Sequence, residues 1–159
     1  ILCASIAGYG SLLDDDRRKA LTLLSVFRDA ADRVADDRRG RQLQTDTDEV
    51  WLELPDTRVA MDAALELESR FHEYAQKLTL PTPNLCSGIH CGEVTRSRKG
   101  DLVGDTLPVA ALIKSVAEPG QIIVSASVAE QLDSRVELDE LGERVLDAPR
   151  PLTCWAVRL

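Results

Sequence analysis

Apolar positions along the chain recur with two alternating periods, two residues and about 3.6 residues, the mark of strands interleaved with helices. Residues Ile1–Ala7 are apolar almost throughout and predict a buried strand, broken by Gly8-Tyr9-Gly10-Ser11. Asp14-Asp15-Asp16 suits the first turn of a helix, where the exposed amides favour carboxylates. That helix is predicted over 16–37, with Leu21, Leu24, Phe27, Ala31 and Val34 on its apolar face and Gly40 at its end. Strands at Arg41–Thr45 and Glu49–Leu54 flank Asp46-Thr47-Asp48, whose composition and length predict a tight hairpin turn. A second helix over Thr57–Leu78 carries Ala60, Ala64, Leu67, Phe71, Tyr74 and Leu78 at spacings of three and four, and Pro81 and Pro83 stop it.

Beyond it the pattern predicts a strand at Leu85–Val94, a charged, Gly-containing loop at Thr95–Gly104, and a small-residue helix at Asp105–Ala117 ended by Pro119-Gly120. A strand at Gln121–Ser125, a short helix at Ser127–Leu132, a strand pair at Val136–Leu141 and Arg144–Leu146, and a last strand at Leu152–Arg158 complete the chain. The β-α-β-β-α-β start predicts an α+β, ferredoxin-like arrangement in which both helices cover one face of a mainly antiparallel sheet. The other face is then left without a helix layer, open to a ligand or partner. No internal repeat or low-complexity linker divides the chain, which reads as one domain over 1–159.

Charge narrows the function classes. The 159 residues hold 19 Lys and Arg against 27 Asp and Glu, a net charge of −8, and a phosphate backbone rewards the opposite balance, so nucleic acid is not an expected partner. The basic stretches Arg38–Arg41 and Arg96–Lys99 are flanked by Asp or a turn Gly and read as solvated loops. Cys3, Cys86, Cys91 and Cys154 form no CxxC pair and lie in apolar stretches, which points to free thiols in a reducing, cytoplasmic compartment. No run approaches the roughly 18 apolar residues of a membrane span, so the domain itself is expected to make no membrane contact. Ile1 already lies inside a predicted strand, and the reading is a fragment of a longer, multidomain or membrane-anchored protein.

Five segments, in order, then carry a family resemblance. Gly88–Val94 (GIHCGEV), Val103-Gly104-Asp105-Thr106, Ala110-Ala111, Ala117–Ser125 (AEPGQIIVS), and Leu141-Gly142-Glu143 before Arg150-Pro151 together resemble the class III nucleotidyl cyclase homology domain. Gly8-Tyr9 resembles its Gly-aromatic turn beside the bound nucleotide, and Gly40-Arg41, Thr45 and Asp48 resemble its metal-bearing hairpin. The resemblance implies an antiparallel dimer with its sites in the cleft between subunits, closing a nucleoside triphosphate to the 3′,5′-cyclic monophosphate with two divalent cations.

The positions that the resemblance marks out are mostly altered. The first metal carboxylate falls on Ser5, while the second falls on Asp48 and is present. The purine-reading Lys falls on Gln44 and the purine-reading Asp on Asp101. The transition-state Asn falls on Pro108, the Arg one helical turn later on Leu112, and the phosphate-binding Lys on Asp147. Each such donor is worth about 2.7–4 kcal/mol at a transition state, so losing several together predicts an inactive site. The expectation is a degenerate cyclase-like domain with no intact catalytic set, acting as a dimerising signalling or regulatory module whose cleft binds a nucleotide-like ligand. No cofactor is expected; Mg²⁺ or Mn²⁺ is the cation if activity or nucleotide binding remains. The alternatives are an active cyclase using Asp48 and Asp46 as a displaced metal pair, and a regulatory partner of an active cyclase chain. His90 and Glu93 in the GIHCGE stretch read as structural.

Overall fold

A computed structural model of the chain describes residues 1–43, 47–98, 102–144 and 151–158. A seven-stranded sheet is built from β1 (Leu2–Ile6), β2 (Arg41–Leu43), β3 (Glu49–Glu53), β4 (Leu85–Ile89), β7 (Ile122–Ser125), β8 (Leu138–Arg144) and β9 (Leu152–Val157). Its strand order is β2-β3-β1-β4-β7-β9-β8, and every pairing is antiparallel except β4 with β7. The mainly antiparallel α+β architecture expected from the pattern is therefore present. β5 (Thr95–Arg96) and β6 (Leu102–Val103) pair separately, within the segment predicted as loop.

Strand alternation sends β1 side chains to opposite faces, so Leu2, Ala4 and Ile6 enter the main core while Cys3 and Ser5 face the other way. Helices α2 (Arg17–Asp37) and α3 (Thr57–Lys77) cover the first face. Asp16 caps α2 by accepting from the Lys19 amide at 3.0 Å, and Asp56 caps α3 by accepting from the Val59 amide at 2.8 Å. The two helices meet through Phe27 and Phe71, whose rings stand edge to face with centroids 5.3 Å apart. Arg38 to Glu66 at 2.8 Å and Arg70 to Asp37 at 2.8 Å close the outer side of the same seam.

Several expectations are corrected. Gly8 to Ser11 does not simply break the chain: Gly8, at φ 68°, turns it into a short helix α1 (Tyr9–Asp15), and the acidic run ends α1 and caps α2 rather than forming one first turn. Leu21 is 50% exposed and Leu78 58%, because the seams pass through Ala20, Leu23 and Ala30 on α2 and through Ala63 and Ala75 on α3, where small side chains allow close approach. The strand expected to reach Val94 stops at Ile89. The predicted C-terminal strand pair is instead one strand, β8, as far as Arg144, with an irregularity between Glu140 and Gly142, where Gly142 takes φ 72°; Val145 and Leu146 lie outside the described residues.

The largest correction concerns the second face, which is not bare. Helix α4 (Thr106–Ser115) lies across β1, β4 and β7. Ile113 packs there with Ile123, Cys154 and Ala156, flanked by Val109, Val116, Leu141 and Leu152. Gly88 makes the approach possible: a Cβ at this position would sit 2.8 Å from the Ala110 carbonyl oxygen and 2.7 Å from the Lys114 Cα. Nothing in the periodicity of the chain announces which face a ten-residue helix of low amphipathicity will choose.

Candidate functional site

Ser5 stands near the C-terminal end of β1, opposite Glu49 of β3 on one side and Cys86 of β4 on the other. All three belong to the face that α4 covers. Ser5 and Glu49 are half-buried, whereas Asp48, one residue earlier in the β2–β3 connection, is exposed. Across this floor reaches Lys114 from the last turn of α4. Its Nζ donates to the Glu49 carboxylate at 2.6 Å and to the Ser5 Oγ at 3.4 Å. The side chains of the ion pair are only 13% and 21% exposed.

Burial alone would push the Lys114 ammonium down, but the hydrogen bond to Glu49 and the nearby negative charge, including Asp48, outweigh it, and its pKa is raised. The group is a fixed cation throughout the neutral range. The Cys3 thiol on the same floor is driven well up, first by burial and then by Glu49, so it is a neutral, inert side chain.

The other marked positions distribute as follows. Gly8 is exposed at the start of α1, while Tyr9 is buried in the main core at 7% exposure. Burial raises the Tyr9 phenol, and the Asp48 carboxylate adds to the effect. Pro108 is exposed and Leu112 half-buried, both on α4. Ser5, Asp48, Tyr9 and the last turn of α4 thus lie towards the C-terminal end of β1, whereas the start of α4, with Thr106 against Gly92, lies towards the other end. Gln44, Asp46, Asp101 and Asp147 lie outside the described residues.

Sequence reasoning missed Glu49 and Lys114. The alternation Glu49, Trp51, Glu53 marks the less buried face of β3, yet only the register with β1 brings Glu49 opposite Ser5. Lys114 follows Ile113 in an apolar helix and looks like an ordinary C-terminal lysine until α4 is placed on the sheet.

A pair of divalent cations does not fit this donor set. Hard cations want several anionic oxygens, and here Ser5 supplies a neutral hydroxyl while the Glu49 carboxylate is already engaged by an ammonium. Among the described residues no group of three or more His, Cys, Asp and Glu side chains could hold a metal ion.

Elsewhere on the second face, His90 Nδ1 lies 2.9 Å from Ser125 Oγ, which is 3.0 Å from Ser127 Oγ, and Ser127 donates to the Cys91 carbonyl at 2.9 Å. This chain of hydrogen bonds ties the segment after β4 to the start of α5 (Ala126–Ala129), and burial pushes the His90 imidazole down. A cavity of about 250 Å³ adjoins it, lined in part by Glu53, Asp56, His90, Cys91 and Gln131, at the end of β1 remote from Ser5. Glu53 also gathers the two basic stretches, pairing with Arg41 at 3.4 Å and Arg96 at 2.5 Å. Those arginines are thus engaged within the domain.

The architecture is thus an α+β sheet of this order with a small helix on its second face and a hairpin beside the first strand. The family model of the adenylate and guanylate cyclase catalytic domain matches residues 2–158, and the chain belongs to that family. A Rhizobium meliloti (strain 1021) protein named "Putative adenylate cyclase 3" is 26% identical over 98% of this chain, which spans only 27% of that relative's length. The adenylate/guanylate cyclase/hydrolase structure from Silicibacter pomeroyi is 25% identical, covers 100% of this chain and 97% of that one, and superposes with a TM-score of 0.76. The adenylyl cyclase CyaB of P. aeruginosa superposes with a TM-score of 0.83 over 99% of this chain and 92% of its own at 16% identity, a likeness of fold. Among the described residues no helix is long and apolar enough to cross a membrane.

Proposed function

We propose that this chain is a cyclase-family domain that has lost turnover and serves as a dimerising signalling or regulatory module in the cytoplasm, with a cleft able to take a nucleotide-like ligand. The observation that carries the reading is the surface of α4. Pro108 and Leu112, at the places where the family resemblance puts an amide and a guanidinium, offer no side-chain donor to charge developing on a phosphoryl group. Removing one preorganised donor of this kind costs about 2.7–4 kcal/mol of transition-state stabilisation. Ser5 in place of a carboxylate points the same way.

Mixed dimers do not easily repair the site, because the altered positions fall on both halves of a composite cleft: Ser5 on the β1 side and Pro108 with Leu112 on the α4 side. The partner in this reading is a second copy or a cyclase-type chain that meets the sheet cleft. Gly8, Asp48 and Asp101 would contact the ligand and any cation that accompanies it, while Tyr9, expected to join them, is buried in the main core and would act by fixing the turn at Gly8.

A second reading has one observation in its favour. The Rhizobium meliloti relative that matches nearly the whole chain bears an adenylate cyclase name, although the chain spans only 27% of it, so the competing function is closure of ATP to its 3′,5′-cyclic monophosphate with Mg²⁺ or Mn²⁺ at an atypical site. Incubation with ATP, GTP, CTP and UTP and excess Mn²⁺, read by mass spectrometry beside Asp48→Ala, separates the two. No cyclic product from any of the four, with a monomer–dimer equilibrium in sedimentation, is the expected result. Product above the Asp48→Ala control would establish the enzyme reading instead.

A further inference from the structure

The strongest unassigned feature is the half-buried cation on the floor of the cleft. Lys114 is not a surface lysine that happens to meet an acid. Its Cα is held directly over Gly88 of β4, which lies opposite Cys3 of β1, and from there the side chain runs across β1 to β3. Its ammonium ends 2.6 Å from Glu49 and 3.4 Å from Ser5, two residues that face each other across the β1–β3 ladder.

We infer that the Lys114 ammonium takes the place of a divalent cation in this cleft, so that the floor between β1, the β2–β3 hairpin and α4 carries one tethered positive charge and binds no divalent metal. Three points support it. The residue that would supply the first carboxylate is a hydroxyl, and that hydroxyl is already within reach of the ammonium. The nearest described carboxylate on the floor, Glu49, is neutralised by the same group. A divalent cation beside them would face like-charge repulsion at short range in a half-buried setting, where screening by water is weak. The replacement also has a mechanical consequence, because the charge is part of α4 and fastens that helix to β1 and β3 permanently rather than only when a metal is bound.

The inference deepens the non-catalytic reading and is tested separately from it. Mn²⁺ alone is titrated into the 159-residue chain and the loss of the free Mn²⁺ electron paramagnetic resonance signal is followed. Unaltered chain and Ser5→Asp are expected to leave the signal free at millimolar Mn²⁺, since Lys114 would claim the carboxylate introduced on β1. Combining Ser5→Asp with Lys114→Met is expected to tighten Mn²⁺ binding roughly 10–100-fold over Ser5→Asp alone. Ser5→Asp with Lys114→Gln keeps a donor to Glu49 while removing the charge, and should gain the metal equally, which covers a failure of the methionine variant to fold. Stoichiometric Mn²⁺ uptake by the unaltered chain, abolished by Asp48→Ala, would overturn the inference. So would a gain by Ser5→Asp alone equal to that of the double variants, or no gain in a folded double variant. Mn²⁺ taken up without cyclic product would sink this inference and leave the non-catalytic reading standing.

Discussion

Under α2 and α3 the sheet presents Leu2, Ala4, Ile6, Val50, Leu52, Leu85 and Ile89 to two amphipathic helices, and the contact is sealed by Phe27 and Phe71. On its other face the same strands present Cys3, Ser5, Glu49, Cys86 and Gly88 to a single ten-residue helix, held by a few apolar side chains and one ion pair. Both faces are read from alternate residues of one strand, so β1 serves two selection regimes at once. The first face is apolar volume shut away from solvent, and the fold built on it is shared with solved structures at 15–25% identity. The second carries the polar residues, Ser5, Glu49 and Lys114 among them.

Substitutions on the two faces test that division. Phe71→Ala removes half of the edge-to-face pair and should cost about 3–5 kcal/mol in urea denaturation. A loss below about 1 kcal/mol would mean that the first face is not the stabilising one. Gly88→Ala probes the close approach of α4: its new Cβ meets backbone atoms of Ala110 and Lys114, which cannot swing aside, and the expected loss is about 1–3 kcal/mol, read as a lowered Tm. A neutral result would show that α4 can lift from the sheet freely.

A smaller effect is expected from His90. Burial depresses its imidazole below the ordinary value of 6.5, so the unfolded chain binds more protons than the folded one between those two values. Stability should therefore be full above 6.5 and fall as pH drops through that value towards the folded pKa. Guanidinium unfolding at stepped pH would show the slope, and His90→Gln should remove it; an unchanged slope assigns the titration to other groups. Smallest of all, Asp48→Ala is expected to move stability by no more than about 0.5 kcal/mol, since the residue is exposed in the hairpin connection. A larger shift would make Asp48 a structural residue and blur the contrast between the faces.

The legibility of the chain follows the same line. The α2 and α3 seams are visible in the sequence because a 3.6-residue stripe of apolar side chains is a local signal, although the alanines that line the seams are harder to rank than the leucines beside them. The hairpin, the long helices and the family segments can be read in order. The short helix α1 cannot, because Gly8-Tyr9-Gly10-Ser11 is turn-like in composition and becomes helical only once Tyr9 enters the core. The placement of α4 and the meeting of Lys114 with Glu49 and Ser5 depend on strand register across 65 and 109 residues, which no local pattern encodes.

Among the described residues the one parallel contact in the sheet, β4 with β7, closes a shorter length of chain than the antiparallel ladders of β1 do. Ser87 lies beside Ile122 and Ile89 beside Val124, whereas Leu2 of β1 must find Leu52 on one side and Ile89 on the other. The β4–α4–β7 unit is therefore the more local one and can condense before β1 is in place. Amides of β7 should accordingly gain protection ahead of those of β1 in pulse-labelled hydrogen exchange during refolding, and the opposite order would count against it. The strand that carries Ser5 would then be the last of the central strands to take its place.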